Sequence, residues 1–149
     1  MYIFNKAFSL LELVIVLIIV AILLAIALPY WQQLVKKNLA KNDINTLRNT
    51  INFARQEAII KAQKIFIKPQ SNSWYKYQVV DDQNNIFKMV QLSKNATLTS
   101  NVFNNNYYII FEPNGYTNYQ NGTFKYYQNN VLQYTLTINK AGQTRVNNA

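Results

Sequence analysis

Residues 8–29 read FSLLELVIVLIIVAILLAIALP, and the reading of this run decides the fold. About 20 helical residues rising ~1.5 Å each cover the roughly 30 Å of a bilayer's hydrocarbon core. From Leu13 to Leu28 no polar side chain occurs, so there is no wet face of the kind a soluble amphipathic helix needs. The run predicts a membrane-spanning helix. Two features separate it from a secretory signal. No small-residue cleavage site comes after it; Pro29, Tyr30 and Trp31 do, and bulky aromatics suit a membrane interface. The small residue lies in front instead, at Ala7, closing a short segment MYIFNKA that carries Lys6. The only charge in the run is Glu12, four residues beyond Phe8. A carboxylate in hydrocarbon costs roughly 2.5 to 3.5 kcal/mol on insertion scales, so an amine partner is expected.

The helix is expected to continue past Pro29 to about Lys61, because membrane helices tolerate proline. Beyond it, Leu34, Ile44, Leu47, Ile51, Ala54 and Ala58 form an apolar stripe, with steps of three and four from Ile44 onward. Lys37, Lys41, Arg48, Arg55 and Lys61 fall off the stripe. Leu34 and the rest of the stripe read as core, to be covered by the C-terminal half of the chain. From Lys64 the period changes to two. KIFIKP, WYKYQVV, NIFKMVQL, YYIIFE, GTFKYY and VLQYTLTINK alternate or cluster β-branched and aromatic residues. Turn signals separate them at Pro69, Asp81-Asp82, Pro113-Asn114-Gly115, Asn121-Gly122 and Asn129-Asn130. The pattern predicts an antiparallel sheet packed on the helix, an α+β fold. The Asn-rich residues 93–106 read as a short strand inside a long, partner-facing loop.

Composition narrows the function. Fifteen Lys and Arg stand against six Asp and Glu, a net charge of +9, which favours anionic partners: nucleic acid, phospholipid or an acidic subunit. With no Cys and no His there is neither a disulfide nor the usual transition-metal ligand set. No glycine-rich phosphate loop occurs, and Asp43, Glu57, Asp81, Asp82 and Glu112 have no recognisable acid/base or metal spacing. Neither an enzyme nor a cofactor is expected. Glu112, before Pro113, reads as a turn residue.

A short leader ending in a small residue, then Phe8, Glu12, an apolar helix and Pro29 resemble type IV pilins and type II secretion pseudopilins. The resemblance implies that a prepilin peptidase cuts between Ala7 and Phe8 and that the new amine of Phe8 is methylated. It implies that Glu12 meets such an amine as subunits stack, which offsets part of the cost of burying both charges. The family usually has Gly where Ala7 stands. The domains implied are a leader at residues 1–7, a transmembrane and assembly helix at 8–35, and a periplasmic or extracellular α+β head at 36–149, helical to about residue 62. Loop charge alone points the other way, since Lys36, Lys37 and Lys41 follow the helix and only Lys6 precedes it. The resemblance places the leader in the cytoplasm, with a single pass through the inner membrane before incorporation into a pilus or pseudopilus.

A narrower resemblance spans nearly the whole chain. Ala54-Arg55-Gln56-Glu57-Ala58 before a strand, IIFEPNGYT, GTFKYY and LTINKAGQTRV are similar to the helix-to-strand passage, the Phe-x-Pro-x-Gly turn, the Gly-Thr-Phe strand and the closing Gly-x-x-Arg-Val strand of FimT/GspH minor pilins and pseudopilins. The cysteines of many members are absent, with Lys68 where one is often found. One branch of that subfamily binds DNA in natural transformation, through a Gly-Arg-x-Arg loop. Here Gly142-Gln143-Thr144-Arg145 keeps the second arginine and puts Gln143 at the first. One cation fewer removes about 0.9 from the salt slope on duplex DNA. Lys140 lies just upstream, and Lys125 between Phe124 and Tyr126 joins the site if the last strands are neighbours. The other branch implies a minor pseudopilin at the tip of a secretion filament. Implied partners are other pilin or pseudopilin subunits, prepilin peptidase, the inner membrane and, in the first branch, DNA.

Overall fold

The computed structural model describes residues 10–71, 73–101, 108–117 and 121–149. Ala7, Phe8 and the part of the Asn-rich stretch from 102 onward lie outside them. The chain divides into two compact units, Met1–Lys37 and Asn38–Ala149.

Helix α1 is Leu10–Lys61, with Pro29 inside it. It ends as the sequence predicts, by a backbone device that the sequence does not advertise. Gln63 N–H donates to Ala58 O and Ala62 N–H to Ile59 O, with Ala62 at φ 50. This is a Schellman closure built on alanine where glycine is usual. In the first unit, residues 10–37 of α1 are exposed throughout. α1 is the one helix among the described residues long and apolar enough to cross a membrane, with a mean hydropathy of 3.3 over an 18-residue window. Leu34, expected in the core, is 53% exposed; it falls in this unit, where no strand is present to cover it.

The second unit holds the core. On α1 the buried positions are Ala40, Asp43, Ile44, Leu47, Thr50, Ile51, Ala54 and Ala58. The predicted stripe is therefore present, with two polar residues set into it. Among the described residues eight strands come after the helix: β1 Ile65–Gln70, β2 Ser73–Asp81, β3 Ile86–Gln91, β4 Ala96–Asn101, β5 Ile109–Phe111, β6 Gly122–Gln128, β7 Val131–Ile138 and β8 Thr144–Asn148. They form two antiparallel four-stranded sheets, ordered β3-β2-β1-β5 and β4-β6-β7-β8, where the alternation in the sequence predicts one. Both sheets contribute to one hydrophobic cluster with α1, and Trp74 of the first meets Phe124 of the second edge-to-face at 4.8 Å.

Two more expectations need refining. The short strand expected in the stretch from Ser93 is β4, paired along its length to β6 with Ala96 and Leu98 buried, so the described part of the stretch is not a long loop. Polar residues dominate it because its other face is wet. Asn121-Gly122 is no tight reversal either, since Gly122 opens β6 and the positive-φ glycines of the described chain are Gly115 and Gly142. Asn129-Asn130, by contrast, make a two-residue hairpin with φ 51 and 62, as a primed turn requires.

Candidate functional site

Two polar links, one buried and one half-buried, tie the strands and turns of the head to α1. Asp43, 5% exposed, accepts from Ser93 N–H at 2.9 Å and Ser93 Oγ at 3.0 Å. The Tyr126 hydroxyl sits 2.7 Å from Asp43 Oδ2 and 2.7 Å from Gln128 Oε1, one proton between two acceptors. Burial, then the Asp43 carboxylate, push the Tyr126 phenol well above its ordinary range. Burial likewise raises Tyr77, whose hydroxyl lies near that of Thr50 without the geometry of a hydrogen bond.

The second link is Arg55, which the stripe left on the solvent side. It is half-buried, and its Nε donates to Gly115 O at 3.0 Å. Gly115, at φ 77, closes the turn after β5, where Glu112 O accepts from Gly115 N–H and the Glu112 carboxylate pairs with Lys64 at 3.2 Å. Gly142, at φ 71, lies against the same spot: a Cβ there would come within 2.8 Å of Gly115 O and 3.1 Å of Arg55 Cδ. Only glycine fits. Thr117 N–H donates to Lys140 O at 3.0 Å and ties the two turns together. Three of the four motifs quoted for the subfamily thus meet around one guanidinium.

That seat fixes the hairpin between β7 and β8, which carries the predicted basic residues. Gln143 is engaged within it: its N–H donates to Asn139 Oδ1 at 2.9 Å and its Oε1 accepts from Asn139 Nδ2 at 3.1 Å. Lys140 is exposed in the turn itself. Arg145 lies on β8 opposite Thr137, and Lys125 on β6 opposite Thr135 and Thr99. Because β7 lies between β6 and β8, cross-strand pairing puts Lys125 and Arg145 on the same face of the sheet, both exposed. Two strand spacings and two residues separate their Cα positions, about 12 Å. Arg145 and Thr137 also border a cleft of ≈ 420 Å³ at the hairpin end. From Pro113 to Ala149 the sequence holds Lys125, Lys140 and Arg145 and no acidic residue. The side-chain charge that this stretch contributes is therefore all positive. The composition of those last strands was the available signal for it.

At the other end of the chain, Glu12 lies in the first turn of α1, on an exposed position. Ala7 and Phe8, the expected processing site, fall outside the described residues.

A long apolar helix followed by a two-sheet α+β unit packed on its later turns defines the class: a pilin-type filament subunit. The structure is similar to the type IV minor pilin FimU of Pseudomonas aeruginosa, with a TM-score of 0.59 at 18% identity, covering 80% of this chain and 92% of that one. It is equally similar to the minor pseudopilin EpsH of the Vibrio cholerae Type 2 Secretion System, with a TM-score of 0.59 at 11% identity, covering 72% of this chain and 94% of that one. A comparison with curated protein sequences finds no match. The prokaryotic N-terminal methylation motif matches residues 4–28. The family described as type II transport protein GspH matches residues 43–142, and the chain belongs to that family. It is a minor pilin or minor pseudopilin, a structural subunit that assembles with other pilin-type subunits into a filament.

Proposed function

We propose that this subunit serves a type IV pilus and that its basic head binds DNA during uptake for natural transformation. Processing by prepilin peptidase between Ala7 and Phe8 and methylation of Phe8 release the apolar helix for assembly. The chain waits as a single-pass inner-membrane protein with a periplasmic head, and Glu12 sets register as it enters the filament. The observation that carries the DNA reading is the placement of Lys125 and Arg145 on one acid-free sheet face, with Lys140 at the tip of the adjoining hairpin. Phosphate neutralisation supplies most of non-specific nucleic-acid binding, and such a face offers it without a competing carboxylate.

A gel shift of residues 38–149 across a salt series tests this. The fragment contains the whole buried core. Binding at low salt is expected, weakened by Arg145→Ala plus Lys140→Ala; unchanged binding in that variant puts the site elsewhere. Mass spectrometry of native material is expected to show the chain beginning at a methylated Phe8.

The second reading is a minor pseudopilin at the tip of a type II secretion filament, with no DNA contact. It is favoured by Gln143, which stands where the DNA-binding branch has arginine and is bonded to Asn139. Absence of binding at low salt selects it.

A further inference from the structure

The register of the second sheet spells out its outer face row by row. Thr99, Lys125, Thr135 and Asn147 lie side by side across β4, β6, β7 and β8. Asn101, Thr123, Thr137 and Arg145 form the neighbouring row. All eight are exposed or half-exposed, while Leu98, Phe124 and Leu136, which alternate with them, are buried beneath. Every one of the eight side chains can donate a hydrogen bond to an oxyanion: two cations, four hydroxyls and two carboxamides. The ion pairs of Lys61 with Glu57 and of Lys64 with Glu112 lie elsewhere and involve none of the eight. One of the four hydroxyls is engaged, weakly, where Thr137 Oγ1 donates to Arg145 O at 3.4 Å. A strand face built for water alone has no need of this uniformity, since glutamates and aspartates serve there as well.

We infer that these two rows are a track for the phosphodiester backbone of duplex DNA. The inference rests on the DNA-binding reading and adds where the duplex lies and what holds it. Lys125 and Arg145 neutralise phosphates about 12 Å apart across the sheet, and the threonine and asparagine donors between them bond the intervening phosphate oxygens. The next row along holds Thr97, Tyr127 and Leu132, so among the described residues of these strands the face has one aromatic ring and no platform on which successive bases stack. The track therefore reads backbone and not bases. It takes duplexes of any sequence, and the closed base pairs of a duplex cost it nothing.

Fluorescence anisotropy of residues 38–149 with labelled 30-base-pair duplexes of unrelated sequence, over a potassium chloride series, tests the track. Thr99→Val with Thr123→Val and Thr135→Val removes three hydroxyls while keeping β-branched side chains and charge. Affinity is expected to fall about tenfold at fixed salt, with the salt slope unchanged. Lys125→Gln with Arg145→Gln is expected to lower the slope by roughly 1.8. Circular dichroism melts report whether each variant is folded, and the corresponding three Thr→Ser changes, which keep the hydroxyls, are expected to bind as the parent does. If the folded valine variant binds like the parent while the charge variant fails, charge alone holds the DNA and the track is wrong, though the DNA reading stands. Preference for one duplex sequence also overturns the track. A parent head that binds no duplex at low salt overturns both.

Discussion

Residues 10–37 and residues 38–61 share one helix and follow opposite rules. In the first part every side chain is exposed although most are apolar; in the second, eight positions are buried and the basic residues lie to the side. A periodic stripe appears only where a helix separates two media. The second part has a protein core on one side and water on the other. The first has no stripe because it expects the same apolar surroundings all round, lipid before assembly and neighbouring helices after it. Glu12 is the exception there, the one charge in the part ahead of Lys36 and Lys37 at its end.

The sharpest way to break the comparison is Glu12→Val. The variant is expected to insert into the membrane and fold its head but to be absent from sheared filaments, measured by immunoblot of filament and membrane fractions. Normal incorporation removes Glu12 from assembly. Next comes Ile51→Ala, which opens a cavity in the buried stripe and is expected to cost the head about 2–5 kcal/mol in denaturant unfolding. Leu23→Ala, the same kind of truncation in the first part, is expected to leave head stability unchanged. A third test is alkali. Tyr77 and Tyr126 are both raised by burial, so the stability they contribute is complete below the unfolded pKa of about 10 and is lost as pH rises beyond it. The head is expected to unfold in alkali by circular dichroism while the helicity of residues 10–37 in detergent persists. The smallest effect is Ala62→Gly, which relieves a left-handed alanine at the end of α1 and is expected to stabilise the head by about 1 kcal/mol.

The two parts were unequally legible. The apolar run and the Ile44 to Ala58 stripe were plain because burial on a helix repeats along the sequence. Leu34 was misplaced for the same reason, since an apolar residue reads alike whether protein or lipid covers it. The division into two sheets was hidden, because alternation gives the face of each residue and not the partner of each strand. A short strand was legible within residues 93–106, but its bounds and its pairing with β6 were not, because only Ala96 and Leu98 mark its inner face. Lys125 and Arg145 could be named from the sequence. Their common face required the order β6-β7-β8, and the Asn139–Gln143 pair required the hairpin to be closed. Arg55 was invisible as a structural residue, because a charged group at the edge of a stripe gives no hint that a distant carbonyl waits for it.

That carbonyl lies sixty residues downstream, and Gly142 comes later still. A nascent or truncated chain that stops before the final hairpin therefore lacks Leu136 and Ile138 of the core cluster and leaves the Arg55 seat without Gly142. Such a chain is expected to be cleaved by proteases more readily than one with the hairpin in place. The head is complete only once its last hairpin has reached Arg55.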